Sequence, residues 1–506
     1  MIRSGEEILK LTDGQFDTIL ELSDWRFSAA AVGLMRFFDF CNADGKRERL
    51  YSTSLKETIV GTTENVSIER NDVLLYNKKN IVLDDRENLE DYISFIEKYF
   101  SEKMHNKKLN NILQKEEISD IDKKEIDELL KVNTVMKKVF KSVKYSDENR
   151  EKIQNLLKEN REEIVLETYK NGKSTYSNFC NKNSFGAEDK KVCRLTGYYV
   201  DLGKKNKSMA FNWDYSTYVY QDYPEFDYIP FAFSKTREAF FINNNYNMEN
   251  LKKTNDNLNN EFLRDGSDNS DSENSRKSLF LSSSKAAQYI DYQVEIIIKN
   301  RDKDFFETMF VRSDPIKIFR KIRSVSEKEE GKYIMESLDK ACKYGKDSYI
   351  NVVNEVVDSI INLVHLDYLI DSLLKDINKH KSLIHSLIKI NTLIYSIEQK
   401  GREEKWMNIS NYKSKETAER VVSKLGKDKE NKVNSYRNKL ISSLTFKDYD
   451  RFCTVLLQLS AYSDVTFDFA YDLFDDFEKN KNVAYSFVNA LKVREASNDD
   501  KEKTNK

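Results

Sequence analysis

Three residue types are scarce in this chain of 506 residues, which has five cysteines, four histidines and three prolines. The cysteines are odd in number and scattered through apolar patterns, which is typical of a reduced protein without a disulfide framework. His380 and His385 lie five residues apart, a spacing that does not place two metal ligands on one helix face. Cys180 and Cys193 make at most half of a zinc site, because no second pair or nearby histidine completes it. We therefore expect no cofactor.

Common catalytic motifs are also missing. The chain has no G-x-x-x-x-G-K-[ST] phosphate loop, no G-x-G-x-x-G, no H-E-x-x-H and no G-x-S-x-G. Glu330-Gly-Lys332 and Glu403-Glu-Lys405 match the end of a nuclease E-x-K pattern, but charged residues make up 33% of the chain, so such matches arise by chance. We predict that the protein is not an enzyme. A metal-dependent nuclease that uses one of these pairs is the alternative.

Long apolar runs are absent too. No stretch of eighteen apolar residues exists, so we predict no membrane span, and the N-terminal residues lack the apolar segment of a signal peptide. We expect a cytoplasmic protein. The formal net charge of −2 does not argue against nucleic acid, since local clustering of charge decides that question.

Aromatic residues are abundant, and they concentrate in residues 190–250. Alternation of aromatic and β-branched residues, broken by Gly, Pro and Asn, predicts short strands joined by turns. Residues 24–40 predict a buried helix capped by Ser23 or Asp24, whose small residues let another backbone approach closely. Asp72–Tyr76 and residues 81–83 predict a β-hairpin. Helices follow from about Leu89 to Glu167.

The second half of the chain has a helical pattern. Apolar residues recur at spacings of three and four from Val352 to Ile397, with a predicted break at Asn378–Ser382. Shorter helical segments follow near 415–425, 429–444, 447–460, 466–477 and 483–492. The predicted fold class is α+β, a mixed N-terminal body followed by an all-α C-terminal bundle. The predicted divisions are an α+β domain at 1–264, a polar linker or mobile loop at 265–284, a connecting helical segment at 285–334, a helical bundle at 335–494 and a disordered tail at 495–506.

The positive signal for function is electrostatic. Residues 170–207 contain nine basic and three acidic residues, beside Tyr198, Tyr199 and Trp213. Lysines on turns suit phosphate contacts, and neighbouring aromatic rings suit stacking on unpaired bases. A solvated basic hairpin over an aromatic core fits the composition equally well. The predicted phosphate contacts are Lys173, Lys190, Lys191, Arg194, Lys204, Lys205 and Lys207.

Three consecutive asparagines, Asn243, Asn244 and Asn245, follow the aromatic stretch. They are either the end of a strand or amide groups offered to base edges or the minor groove. We include them in the predicted nucleic-acid-binding set.

Two stretches together resemble a known family. The first leads from Asp24-Trp25 into Ala30–Arg36. The second contains Gly197–Asp201, Phe211-Asn212, Glu225–Ser234 and Phe241–Asn243. Both are similar to the large subunit of type I CRISPR surveillance complexes (Cascade), most like the I-B branch. Members often carry a Cys-rich zinc-binding insertion, of which only Cys180 and Cys193 could be a remnant.

The resemblance implies a non-catalytic antiviral role. Such subunits contact the guide RNA, inspect the flanking motif of target double-stranded DNA, help to open it and dock a separate helicase–nuclease. The implied partners also include the backbone and small subunits, and the C-terminal bundle resembles the small subunits that hold the displaced strand. In I-B systems an internal start can yield a separate small subunit, for which Met335 is favoured over Met407. A protein-only helical scaffold is the remaining alternative.

Overall fold

The chain forms two compact units. The structure, a computed structural model, describes residues 1–43, 50–60, 65–187, 193–196, 222–236, 238–244, 247–264, 294–326, 338, 342–344, 348–398 and 404–492. The N-terminal unit contains the described residues up to 264 together with 294–311, and the C-terminal unit contains those from 312 onwards.

The N-terminal unit mixes strands and helices, which confirms the predicted α+β class. Its strands are β1 Ile2–Ser4, β2 Thr18–Glu21, β3 Leu55–Val60, β4 Asn65–Arg70, β5 Val73–Tyr76, β6 Glu238–Asn243, β7 Val294–Asn300 and β8 Glu307–Val311. Its helices are α1 Glu6–Leu11, α2 Trp25–Ala43, α3 Arg86–Tyr99, α4 His105–Leu113, α5 Asp120–Leu129, α6 Thr134–Phe140, α7 Arg150–Glu159, α8 Arg161–Asn171, α9 Tyr176–Phe179 and α10 Met248–Arg264.

Helix α2 lies at the centre of this unit. The Asp24 carboxylate accepts a hydrogen bond from the Arg26 N–H at 2.9 Å, so Asp24 caps the helix as predicted. Most of its residues are buried, and it packs on the 3₁₀ helix Pro224–Phe231. A Cβ atom on Gly33 would lie 2.0 Å from the Tyr228 carbonyl oxygen. The predicted close approach of two backbones is therefore confirmed.

The predicted hairpin around Asn77–Asn80 is wrong. β5 pairs antiparallel with β2, and residues 81–83 form no strand. The Asn88 amide donates to the carbonyls of Lys79 and Val82 at 2.8 and 2.9 Å. These bonds hold the chain in a turn that leads into α3, so its backbone groups do not join a strand ladder.

The aromatic stretch is only partly a sheet. Pro224–Phe231 is a 3₁₀ helix, because its two prolines cannot donate to a strand ladder. β6 is a strand, but its neighbour is β7 in a β6-β7-β8 antiparallel sheet. The prediction of a connecting helical segment at 285–334 is therefore wrong for residues 294–311, whose Ile-rich β7 completes the N-terminal unit. The linker predicted at 265–284 lies outside the described residues.

The C-terminal unit is mainly helical. Its helices are α11 Ser313–Ser326, α12 Val352–Asn362, α13 Asp367–Leu374, α14 Ile377–Glu398, α15 Glu404–Leu425, α16 Glu430–Thr445, α17 Tyr449–Ser463, α18 Ala470–Asp475 and α19 Phe477–Ala490. A small antiparallel hairpin, β9 Cys342–Tyr344 with β10 Ser348–Ile350, precedes α12, which the all-α prediction for 335–494 did not include. The tail predicted at 495–506 lies outside the described residues.

The break predicted at Asn378–Ser382 is wrong in position, because α14 runs through these residues and the helical pattern breaks just before them, between Leu374 and Ile377. The chain also turns between α12 and α13, where Leu363 adopts a left-handed conformation with φ 54°. The buried Asn391 side chain of α14 fixes this turn. Its oxygen accepts from the Leu366 N–H at 2.8 Å, and its amide donates to Asp367 and Asn482 at 2.8 Å each.

Helix α19 is the centre of the C-terminal unit. It packs against α14, α15 and α18, and most of its residues are buried, including polar ones such as Asn480, Asn482 and Asn489. Arg437 of α16 donates to the Val488 carbonyl at 3.1 Å, which places a cation at the negative end of this helix. Among the described helices, none is long and apolar enough to cross a membrane.

Candidate nucleic-acid interface

The predicted phosphate contacts fall into three groups. Lys173 is exposed, and Arg194 is buried. The others lie outside the described residues, as does Asn245, and these are Lys190, Lys191, Lys204, Lys205 and Lys207.

Arg194 is a structural residue. Its side chain has no exposed area, and its Nε atom donates to Asp222 at 3.0 Å while Nη1 lies 2.6 Å from Asp227. Burial alone would lower the pKa of the guanidinium, but the two carboxylates more than offset this and raise it. The Arg194 side chain also donates to the Ala187 carbonyl at 2.6 Å. It therefore links the segment before Arg194 to the segment after it that carries the two aspartates. The prediction that Arg194 contacts a phosphate is therefore wrong.

Asn243 and Asn244 are also buried. Asn243 ends β6 and donates to Glu295 at 2.7 Å, and Asn244 donates to Thr254 at 3.4 Å. Of the two interpretations of the asparagine run, the strand end fits Asn243. Neither side chain offers its amide to a base edge in this structure.

A cleft in the N-terminal unit lies beside Lys173, whose chain neighbours Gly172 and Ser174 line it. Its volume is about 870 Å³, and it opens between the start of α4, the start of α6 and the end of α8. We call it the lysine cleft. Its lining residues are Glu102, Lys103, His105, Lys108, Asn133, Thr134, Val135, Lys138, Glu163, Glu167, Thr168, Asn171, Gly172, Ser174, Thr175 and Lys182.

Hydrogen bonds between elements fix the walls of the lysine cleft. Asn133 caps α6 by accepting from the Met136 N–H at 2.9 Å, and it donates to Thr168 of α8 at 3.1 Å. Lys103 donates to the carbonyls of Ser174 and Lys235 at 3.2 and 2.9 Å. The cleft is thus preformed by the fold.

The lysines of the cleft differ in how far they are neutralised. Lys138 pairs with Glu163 at 2.5 Å, and Lys182 donates to Asn171 at 2.8 Å. Lys108, which lines the cleft, and Lys173, which lies beside it, are both exposed. Neither lysine forms an ion pair with a carboxylate in the described part of the chain. These two carry the charge that is most available to an anion.

His105 also lines the lysine cleft, near Lys108. Burial and the nearby Lys108 lower the pKa of its imidazole, so the ring is neutral at pH 7. Its Nδ1 atom is buried and has no hydrogen-bond partner in the structure. The ring can therefore exchange a hydrogen bond with a polar group that enters the cleft.

A second surface, on the C-terminal unit, combines rings and cations. Tyr436 and Tyr462 lie 5.7 Å apart, with Lys439 over the first ring at 5.6 Å and Lys429 over the second at 5.5 Å. We call these four residues the tyrosine–lysine surface. The exposed Lys432 precedes Tyr436 by one helical turn. Aromatic rings beside cations suit stacking on bases together with phosphate contacts.

Sequence reasoning missed most of both surfaces. Lys103, Lys108 and Lys138 belong to separate helical segments and form no local cluster in the sequence. The tyrosine–lysine surface did leave a signal, because Lys429, Lys432, Tyr436 and Lys439 follow the spacing of one helix face.

The described residues contain no group of three or more His, Cys, Asp or Glu side chains that could hold a metal ion. Cys180 and Cys193 are buried. Burial raises the pKa of both thiols, to about 11 for Cys193. These two residues alone do not form a zinc site, since such a site needs four ligands and deprotonated thiols.

Comparison with known proteins identifies the family. A family model described as CRISPR-associated protein Csx8 matches residues 16–275 and 264–491, which confirms the predicted association with CRISPR systems without specifying a subunit. Searches of the curated proteins and of the solved structures find no match. Because the matched residues span most of both compact units, the chain belongs to the Csx8 family of CRISPR-associated proteins.

Proposed function

We propose that the protein is the non-catalytic large subunit of an RNA-guided DNA-surveillance complex of the type I-B kind, acting in antiviral defence. The observation that carries the proposal is the match to a CRISPR-associated family across both units. The lysine cleft and the tyrosine–lysine surface support it, because each offers the chemistry of a nucleic-acid contact.

In this proposal the lysine cleft holds the backbone of the guide RNA. A volume of about 870 Å³ suits a ligand the size of one or two nucleotides, whereas a duplex is far too wide to enter. Lys108 in the cleft and Lys173 beside it meet phosphates, and Lys138 and Lys182 also line the cavity. Such contacts position the strand but carry no sequence information.

The tyrosine–lysine surface suits an unpaired strand. Tyr436 and Tyr462 stack on bases of any sequence, and the lysines beside them neutralise the phosphates. This chemistry fits the displaced strand of an opened target, which the C-terminal bundle holds in our proposal.

The further partners are the target double-stranded DNA, the backbone and small subunits, and a helicase–nuclease recruited in trans. The chain contributes binding surfaces and no catalytic residues. Glu330 and Glu403 of the alternative nuclease lie outside the described residues.

Co-purification tests the proposal directly. The chain is expressed with its genomic neighbours and isolated by an N-terminal tag, and the bound nucleic acid and proteins are then identified. We expect one short RNA of discrete length together with a repeated backbone subunit. Recovery of the chain alone, without RNA, would overturn the proposal.

The same experiment detects an internal start. Met335 lies outside the described residues, and Met407 lies within α15. A product that begins at Met407 lacks α14, which packs against α19, so we expect an untagged fragment that begins near Met335.

Charge reversal tests the lysine cleft. Lys108→Glu combined with Lys173→Glu should weaken binding of the guide RNA about tenfold or more, and the loss should shrink as salt rises. The matched control is Lys152→Glu with Lys158→Glu, two exposed lysines of α7 that do not line the cleft. Equal RNA affinity of the two double variants would show that the cleft is not the interface.

A further inference from the structure

The short helix α18 displays two large aromatic side chains. Tyr471 is 74% exposed and Phe474 is 45% exposed, whereas Ala470 and Leu473 on the other face are buried. Residues three apart share a helix face, so the two rings form one apolar area on the surface. Adjacent exposed aromatic side chains of this kind offer apolar area that a partner can cover.

The fold holds the backbone of α18 in place. Just before the helix, Phe467 and Phe469 pack against Phe487, with ring centroids 5.2 and 5.1 Å apart. The Asn480 amide donates to the Asp472 carbonyl at 2.6 Å, which fixes the end of α18 to α19. Because the backbone of α18 is fixed in this way, only side-chain conformational entropy is lost when these rings bind a partner, which favours them as interface anchors.

The segment that carries these rings is acidic. Residues 464–478 contain six acidic and no basic residues. Asp464 and Asp476 pair with Lys424 and Lys479 at 2.7 and 2.6 Å. Asp468 and Asp475 are exposed, and no basic side chain in the described part of the chain pairs with them. Asp475 follows Tyr471 by four residues within α18, so these two side chains share a helix face, and Asp468 lies in the turn just before the helix.

We call Asp468, Tyr471, Phe474 and Asp475 the acidic–aromatic surface. Both this surface and the tyrosine–lysine surface present aromatic rings, but the charged side chains beside the rings are of opposite sign. Carboxylates repel phosphates, so the acidic–aromatic surface disfavours nucleic acid. Opposite charge across an interface favours a basic partner, and exposed rings favour one with apolar side chains to cover them.

We infer that the acidic–aromatic surface docks a protein partner through a basic amphipathic helix, with an apolar stripe bordered by lysine or arginine. The apolar stripe covers Tyr471 and Phe474, and the basic residues face Asp468 and Asp475. This interaction does not depend on the proposed binding of nucleic acid.

A defined probe tests the inference on the full-length protein. The probe is a fluorescein-labelled helical peptide of leucine and lysine, roughly 18 residues long, and its counterpart has glutamate in place of lysine. Fluorescence anisotropy measures binding to the wild type and to two double variants, Asp468→Lys with Asp475→Lys and Tyr471→Ala with Phe474→Ala. The control is Phe446→Ala with Leu457→Ala, since these side chains are 78% and 55% exposed and lie outside the surface.

We expect the lysine peptide to bind the wild type and the glutamate peptide not to bind. Each double variant should weaken binding about tenfold, and the control should stay within about twofold. All the substituted side chains are exposed, so the thermal midpoint should not change, and RNA recovered with the protein should be unaffected. That last readout separates this inference from the proposed function.

Three results would overturn the inference. The first is no binding of the lysine peptide to the wild type, or equal binding by the wild type and both double variants. The second is self-association of the wild type that the double variants lose, which would assign the surface to a second copy of the chain. The third is direct binding of a labelled oligothymidine strand to the wild type that the Tyr471→Ala with Phe474→Ala variant loses.

Discussion

At the scale of single residues, Gly33 controls how α2 meets the 3₁₀ helix Pro224–Phe231. In an exposed helix, Gly→Ala stabilises by about 1 kcal/mol. Here the added methyl group would lie 2.0 Å from the Tyr228 carbonyl oxygen and 2.7 Å from its carbon, and neither backbone atom can rotate away. We therefore expect Gly33→Ala to lower the free energy of unfolding by about 3 kcal/mol or more. Thermal unfolding measures this, and an unchanged or higher midpoint would contradict the close contact.

Asp371 of α13 makes the stability of the C-terminal unit depend on pH. Burial raises the pKa of its carboxyl to about 6 from an ordinary value of 3.8, and the nearby Asp367 adds repulsion. Ionisation therefore costs the folded state more than the unfolded one, and the cost is complete above pH 6 and absent below pH 4.

We accordingly expect Asp371→Asn to stabilise the protein at pH 7.5, by on the order of 1 kcal/mol after allowance for partial exposure, and to have little effect at pH 4. Midpoints of denaturant unfolding at the two pH values check this. Glu416→Gln, at an exposed position of α15, should change neither midpoint. A stabilisation of Asp371→Asn that is equal at both pH values would argue against the shifted carboxyl.

At the scale of elements, Asn391 joins three parts of the C-terminal unit. Its side chain is fully buried and makes hydrogen bonds to the turn before α13, to Asp367 at the start of α13, and to Asn482 of α19. Truncation leaves these groups buried without partners, so Asn391→Ala should destabilise the protein by about 2–4 kcal/mol.

Chemical denaturation measures this loss against Asn408→Ala, an exposed position on α15 that should change stability by less than about 0.5 kcal/mol. Similar stability of the two variants would mean that Asn391 does not fix the turn.

Periodic elements were the most predictable from the sequence. α2 and the helices from Val352 onward could be predicted because their apolar residues recur at helical spacing, on one face of the helix or on every face. The pairing of β6 with β7 could not be predicted in the same way. About fifty residues separate the two strands, and the alternation of apolar and polar residues does not indicate which strand pairs with which. The 3₁₀ helix Pro224–Phe231 was missed because its aromatic residues match a strand pattern, while its prolines exclude a strand ladder.

At the scale of the whole molecule, the division into units sets where the chain can be cut. A fragment that ends at residue 264 leaves β6 without β7, and so exposes strand backbone and apolar side chains such as Phe241. A fragment of residues 1–311 keeps the three-stranded sheet. We expect the longer fragment to unfold cooperatively and to resist protease, and the shorter one to aggregate. Equal behaviour of the two fragments would show that β7 and β8 are dispensable to the N-terminal unit.

The lysine cleft is also a property of the whole fold. The local charge of the sequence was enough to predict an available cation at Lys173, because this residue lies in an exposed turn. Arg194 belongs to the same basic stretch of sequence. Its side chain is buried, however, and two carboxylates some thirty residues away in sequence neutralise its charge. In the sequence, Lys108 and Lys138 resemble ordinary surface lysines. Only in the folded chain do the helices that carry them meet at one opening. Charge counted along a sequence does not report which charges are still available after folding.

The buried position of α19 has a consequence for the order of synthesis. This helix leaves the ribosome after α14, α15 and α18, yet it covers a face of each of them. Until α19 has left the ribosome, those faces remain open, and the nascent C-terminal unit is a substrate for chaperones and proteases. A frameshift or premature stop before α19 therefore produces a chain whose helical bundle lacks its central helix. We expect cellular proteases to degrade such a chain before it enters a complex.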